Sequence, residues 1–172
     1  MSETTPLVSV RATNDPGDET ANRYYYQYAY TAILACGMLA TDGEILELFC
    51  EHHEDILLRR RDDKLHGIQV KTRQLGLDPW KSGDDAMIGS LLRFVGLENT
   101  YATQFWRYTI ATNHQFFEAR ENGSNLPYLL KIARVCAPDG SDLANPLKAF
   151  VKKLVRASGC DCTIVLAVLR KT

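Results

Sequence analysis

The chain has 172 residues, is 45% apolar and 24% charged, and carries a formal net charge of −1 at pH 7. This length suits one domain that buries roughly 70% of its unfolded surface, and the composition excludes a disordered or fibrous chain. There is no apolar run of about 18 residues to span a membrane, no secretory leader, and no basic excess of the kind that marks a dedicated nucleic-acid binder. Any nucleic-acid surface must therefore be local, and a cytoplasmic location is expected. The cysteines at 36, 50, 136, 160 and 162 are scattered. Cys160-Asp161-Cys162 supplies too few ligands for zinc, so reduced thiols are expected.

Residues 1–19 are polar and broken by Pro6, Pro16 and Gly17, which predicts a flexible N-terminal tail in which Leu7-Val8-Ser9-Val10 can add a short strand. Residues 20–172 are expected to form one domain. A first helix is predicted from about Asn22 to Leu39, where Tyr25, Tyr28, Ala29, Ala32, Cys36 and Leu39 recur at helical spacing as a buried stripe. The tyrosines at 24, 25, 26, 28 and 30 could stack on bases, but helix-core packing is the expectation for most of them. Thr41-Asp42-Gly43 ends the helix.

Three strands of a meander follow, over 44–50, 54–60 and 66–73, with the turn Arg61-Asp62-Asp63-Lys64 joining the last two. The twofold period of a strand puts Gln69 and Lys71 on one face, and Asp55 lies near the start of the partner strand beside them. Glu51 shares parity with Asp55. Glu54 should point the other way, as a solvated charge. A carboxylate, an amide oxygen and an ammonium group gathered there suit a divalent cation and a phosphate. On spacing alone, an ordinary amphipathic hairpin with a solvated polar face is favoured. His52 and His53 would project to opposite faces of a strand and so cannot share one ion.

Beyond a loop over 75–82, Ser82 is the expected N-cap of a helix with Asp84 and Asp85 in its first turn and Met87, Ile88, Leu91, Leu92 and Val95 as its apolar face. Phe105 to Thr112 is β-branched and aromatic, as a strand should be. A short helix is predicted over 114–120, with His114 as a cap or loop contact, and a second helix begins near Pro127. A third spans 142–157, turning Leu147, Phe150, Val151 and Leu154 inward. On its outer side Lys148, Lys152 and Arg156 form a basic stripe, either a phosphate-contacting surface or a plain solvated face. Cys162 to Leu169 is nearly continuously apolar, which predicts a final strand covered on both faces. The sequence ends just after it, as a domain excised from a longer protein would.

The ordered set of Arg23 to Tyr30, Glu51, Glu54-Asp55, Gln69-Val70-Lys71 and Thr112-Asn113 resembles the N-terminal nuclease domain of CD-NTase-associated effector endonucleases of bacterial antiphage defence. These belong to the PD-(D/E)xK superfamily, here in a Gln-x-Lys variant. The resemblance covers residues 20 to 115 well and the remainder by element order. It implies a mixed α/β, restriction-endonuclease-like αβββαβ core with extra C-terminal helices and the final strand. It further implies a metal-dependent endodeoxyribonuclease acting on double-stranded DNA. Asp55, Gln69 and Lys71 would be catalytic. Mg²⁺ or Mn²⁺ would be bound by Asp55, Gln69, the Val70 carbonyl and Glu51. By charge and position alone, apart from the resemblance, Arg73, Lys148, Lys152 and Arg156 are the expected DNA contacts, with Arg59, Arg60 and Arg61 around the site as alternative phosphate contacts. Homo-oligomerisation on activation by a C-terminal ligand-sensing domain, in the bacterial cytoplasm and without a membrane, completes the picture. Gln69 stands where a second acid is usual, so two rivals remain: a catalytically inactive nuclease-fold module for nucleic-acid binding or assembly, and an RNA or nucleotide phosphodiesterase.

Overall fold

Four strands form one sheet in the order β1-β2-β3-β4, in a computed structural model that describes residues 16–40, 43–119 and 121–172, with side chains from residue 21 onward. The elements are α1 (Pro16–Ala40), β1 (Ile45–Cys50), β2 (Ile56–Arg60), β3 (Leu65–Lys71), α2 (Asp85–Tyr101), β4 (Phe105–Thr112), α3 (Leu126–Ala133), α4 (Asn145–Ser158) and α5 (Cys162–Lys171). β1, β2 and β3 make an antiparallel meander, and β4 joins β3 in parallel after the α2 crossover. This is the expected αβββαβ core. Among the described residues no helix is long and apolar enough to cross a membrane.

Alternation along the strands divides the interior into two layers. Ile56 and Leu58 of β2, Ile68 and Val70 of β3 and Ala111 of β4 pack under Tyr26, Tyr30 and Leu34 of α1. Leu57, Phe105 and Tyr108 point the other way, into a larger core with α2, α3, α4 and α5. In that layer Tyr108 stacks between Phe94 and Phe105, and its hydroxyl donates to the buried Glu98 carboxylate at 3.0 Å. Lys171 Nζ donates to the same carboxylate at 2.6 Å, so this buried acid is paired.

Several expectations are corrected. The predicted final strand is the helix α5. Its buried residues, Val165, Leu166, Val168 and Leu169, follow the three- and four-residue spacing of a helix packed in a crowded layer. A continuous apolar run looks the same in a buried helix and a buried strand, but Asp161 at the N-cap and Arg170 and Lys171 in the last turn favour the helix by charge. The predicted helix over 114–120 is absent from the described residues there, where Phe116 instead bridges in parallel to Trp80.

α1 begins at Pro16, so residues 16–19 of the expected tail are helical; the Leu7 to Val10 segment lies outside the described residues. The helix also turns the opposite way from the predicted stripe. Tyr26, Gln27, Tyr30, Thr31 and Leu34 face the sheet, while Tyr25, Tyr28, Ala29, Ala32, Cys36 and Leu39 are exposed. Periodicity gave the helix but not its rotation, because both sides of it are apolar. Asp84, not Ser82, stands at the N-cap position of α2, its carboxylate accepting from Arg73 and the Lys81 N–H; Ser82 is buried and its hydroxyl donates to the Gly123 carbonyl.

Candidate active site

The residues between β1 and β2 do not continue a strand. Glu51 adopts a left-handed φ of 52°, its N–H donates to the Asp55 carbonyl at 3.1 Å, and the chain bends through to Asp55. Strand parity is broken here, which changes where each acid points. Glu54, expected in solvent, is 3% exposed and lies over Gly67 of β3. A Cβ at Gly67 would come within 3.3 Å of both Glu54 Cγ and Tyr108 Cδ1, so the bare glycine makes room for the acid.

Gln69, 2% exposed, is the centre of a polar chain. Its Nε2 donates to Glu54 Oε2, and its Oε1 accepts from Lys71 Nζ at 2.6 Å. The reverse amide orientation would set an NH₂ against an ammonium, so these two partners fix it. Lys71 Nζ is also 3.7 Å from Asp55 Oδ2, and that oxygen accepts the Val70 N–H at 2.6 Å. Asp55, Gln69 and Lys71, predicted together, do come together at the end of the sheet where β2 starts and β3 ends. The Asp55 and Lys71 side chains keep 20% and 25% exposure, so the site opens to solvent.

Burial pushes the Glu54 carboxyl up to about 7, against the lowering effect of the Gln69 hydrogen bond. Its Oε1 is buried and without a hydrogen-bond partner. Glu51 reaches a different neighbour: Gln27 of α1 donates to its Oε1 at 2.5 Å and lies 3.5 Å from the Asp55 carbonyl. Glu51 is therefore held on the α1 side, and Glu54 on the α2 side. Neither Glu54 nor Gln27 was picked out from the sequence as a site residue. Glu54 carried a signal in its place beside Asp55 within the resembling set, and Gln27 as a lone amide in an apolar helix.

The predicted phosphate contacts separate. Arg73 stacks 3.5 Å over the Trp80 ring and donates to Asp84 Oδ2 at 2.8 Å and to the Asp78 carbonyl at 2.6 Å, so its guanidinium braces the loop before α2. Asn113 clamps the Arg73 backbone at both its N–H and its carbonyl. Arg59 pairs with Glu47 and Asp63, and Arg60 with Glu44, at the opposite end of β2 from Asp55. They do not surround the site. Lys148, Lys152 and Arg156 are exposed on α4, whose inner side buries Leu147, Phe150, Val151 and Leu154. His52 and His53 touch edge to face at 4.4 Å.

The donors at the sheet end are carboxylate and amide oxygens, the hard set preferred by a small divalent cation. The unpartnered Oε1 of Glu54 fits such a group. Among the described residues no cluster of three or more His, Cys, Asp or Glu side chains could hold a metal, so any ion there would depend on the Gln69 amide or the backbone.

A family model described as "Cap4, dsDNA endonuclease domain" matches residues 15–171. The chain belongs to that family. Cap4 membership agrees with the four-stranded mixed sheet and makes the chain a nuclease domain of restriction-endonuclease-like fold. Searches of curated proteins and of solved structures give no match.

Proposed function

We propose that the chain hydrolyses phosphodiesters of double-stranded DNA with a divalent cation, Mg²⁺ or Mn²⁺, as part of an antiphage effector. The observation that carries this reading is the continuous polar chain Glu54–Gln69–Lys71–Asp55 at one end of the sheet, containing a buried carboxylate oxygen without a partner. Asp55 and Glu54 would hold the cation, with the Gln69 amide oxygen and the Val70 carbonyl as further donors; Glu51, also expected as a ligand, is instead fastened to Gln27. When bound, the cation supplies charge neutralisation at the phosphate and a more acidic water.

The chain's own residues do the rest. Lys71 Nζ, steered by Gln69 Oε1 and Asp55 Oδ2, presents an N–H to the phosphate oxygen on which negative charge grows. The Val70 N–H holds the Asp55 carboxylate in place, and Gln69 keeps Glu54 and Lys71 in register. Phosphate contacts by Lys148, Lys152 and Arg156 would supply affinity without sequence preference. Activation by homo-oligomerisation under a C-terminal ligand-sensing domain, and a bacterial cytoplasmic setting, belong to the same reading.

Plasmid cleavage in Mg²⁺ or Mn²⁺ tests it. Wild type should nick and linearise DNA, while Asp55→Ala and Lys71→Ala should lose about 100-fold or more, and EDTA should abolish cutting. Activity that survives both substitutions would place the chemistry elsewhere. A second reading, a non-catalytic nuclease-fold module, is favoured by one observation: the Gln69 oxygen is already occupied by Lys71. Absence of both cleavage and Mn²⁺ binding in wild type would select that module. Cleavage of RNA but not DNA would select the RNA phosphodiesterase.

A further inference from the structure

From Tyr24 to Ala40 the sequence has no charged residue. The polar side chains of that stretch, Gln27 and Thr31, both lie on the sheet side: Gln27 is buried and Thr31 hydrogen-bonds back to the Gln27 carbonyl. A helix on the surface of a soluble domain ordinarily places its charges outward, and one that is apolar all round is ordinarily covered all round. Here the outer side carries Tyr25 at 70% exposure, Ile33 at 67% and Leu39 at 91%, with Tyr24 and Tyr28 also exposed. Free side chains of this size present on the order of 150–200 Å² each, so these five offer roughly 600 Å². That is at the upper end of the apolar patches found on monomers and approaches the ~800 Å² per partner of a standard interface.

The arrangement also identifies the occupant. Tyr25 and Leu39 lie equally far from Ala32 on either side; so do Tyr28 and Cys36, and so do Ala29 and Ala35. Along this stripe large groups stand at the ends and alanines at the centre, with the exposed Ile33 beside them. An antiparallel copy turned about a twofold axis through Ala32 would set Tyr25 against the partner's Leu39. The central alanines would let the helix axes approach to about 8 Å. The lack of charge gives an acidic or basic partner nothing to recognise, whereas an isologous contact needs only self-complementarity. We propose that the outer face of α1, centred on Ala32, is a twofold interface between two copies of this chain.

This interface is independent of the hydrolytic reading, yet it touches the same helix. Gln27, on the inner side of α1, holds the Glu51 carboxylate and approaches the Asp55 carbonyl. Pairing two copies would fix the helix from which that grip is made.

Light scattering of the full chain at about 100 µM, where even weak interfaces associate, should give twice the 19.4 kDa monomer mass. Ala32→Glu, which faces two carboxylates across the axis, should give the monomer, while Val135→Glu, at an 81% exposed apolar site away from α1, should remain dimeric. Circular dichroism shows whether Ala32→Glu is folded. If it is not, Ala32→Cys decides: two copies on the axis should cross-link under mild oxidation well beyond wild type. Monomeric wild type, a dimeric Ala32→Glu, or no added cross-linking in Ala32→Cys would each overturn the proposal. So would flotation of a monomeric wild type with phosphatidylglycerol vesicles, which would assign the face to lipid.

Discussion

Glu54 shows how much one side chain's environment decides. Its carboxyl is pushed up to about 7 by burial, whereas an unfolded chain would release that proton near 4.5. Between these values the folded state binds more protons, so stability is fully present below about 4.5 and is lost as pH rises through 7. The loss is at most about 3 kcal/mol. Glu54→Gln cannot ionise, so urea denaturation should find it more stable than wild type by about 1–3 kcal/mol at pH 8 and equal to it near pH 4.5. The same variant should cut DNA at least about 100-fold more slowly if the carboxylate serves the reaction. His66 works in the opposite direction. Half-buried, with its Nε2 2.8 Å from Thr109 Oγ1, it is lowered to about 4 by desolvation and then by Arg107. The unfolded chain takes up that proton near 6.5, so stability should fall as pH drops from 6.5 to 4, and His66→Asn should flatten that acid limb of the urea midpoint. Asp55, Gln69 and Lys71 were legible in the sequence through the ordered resemblance, since by spacing alone the hairpin reads as an ordinary one with a solvated polar face. Glu54 was not legible, because the left-handed Glu51 and the bends after it break the alternation on which parity depends.

The secondary-structure elements divide along the same line. β4 and the meander could be read from alternation and β-branched content, which report local preference directly. α5 could not, because a run of apolar residues is equally suited to a buried strand or a buried helix, and only its packing against α2, α3 and α4 decides. Leu166 is fully buried within that packing. Leu166→Ala should cost about 3 kcal/mol in urea or thermal unfolding, the usual penalty for a large cavity in a helical core; a loss of a few tenths would mean that α5 is a weakly held appendage. The rotation of α1 was hidden for a related reason. With apolar residues on every side, its period marks a helix without saying which side meets the sheet; Gln27 and Thr31 carried the sign of it.

At the scale of the whole molecule, a net charge of −1 gives no general attraction to nucleic acid, so affinity must come from segregated charge. Many arginines are committed to pairs: Arg59 to Glu47 and Asp63, Arg60 to Glu44 and Asp62, and Arg73 to Asp84. The exposed Lys148, Lys152 and Arg156 remain the strongest phosphate surface that the sequence suggested. Replacing all three by Gln should weaken double-stranded DNA binding and reduce the slope of log K against log salt by about 2–3. An unchanged slope in a filter-binding titration would make α4 a solvated face and nothing more. The hairpin itself carries one more consequence. Glu54 and Asp55 stand just before β2, and Gln69 and Lys71 lie at the end of its antiparallel neighbour β3, whereas β4 reaches β3 only after the α2 crossover, where Lys71 meets Thr112. Hairpins close in about 1–10 µs, and long-range parallel pairing is far slower. These four side chains can therefore meet before the protein has a core, and refolding followed by Trp106 of β4 would report the molecule's completion, well after the hairpin has brought them together.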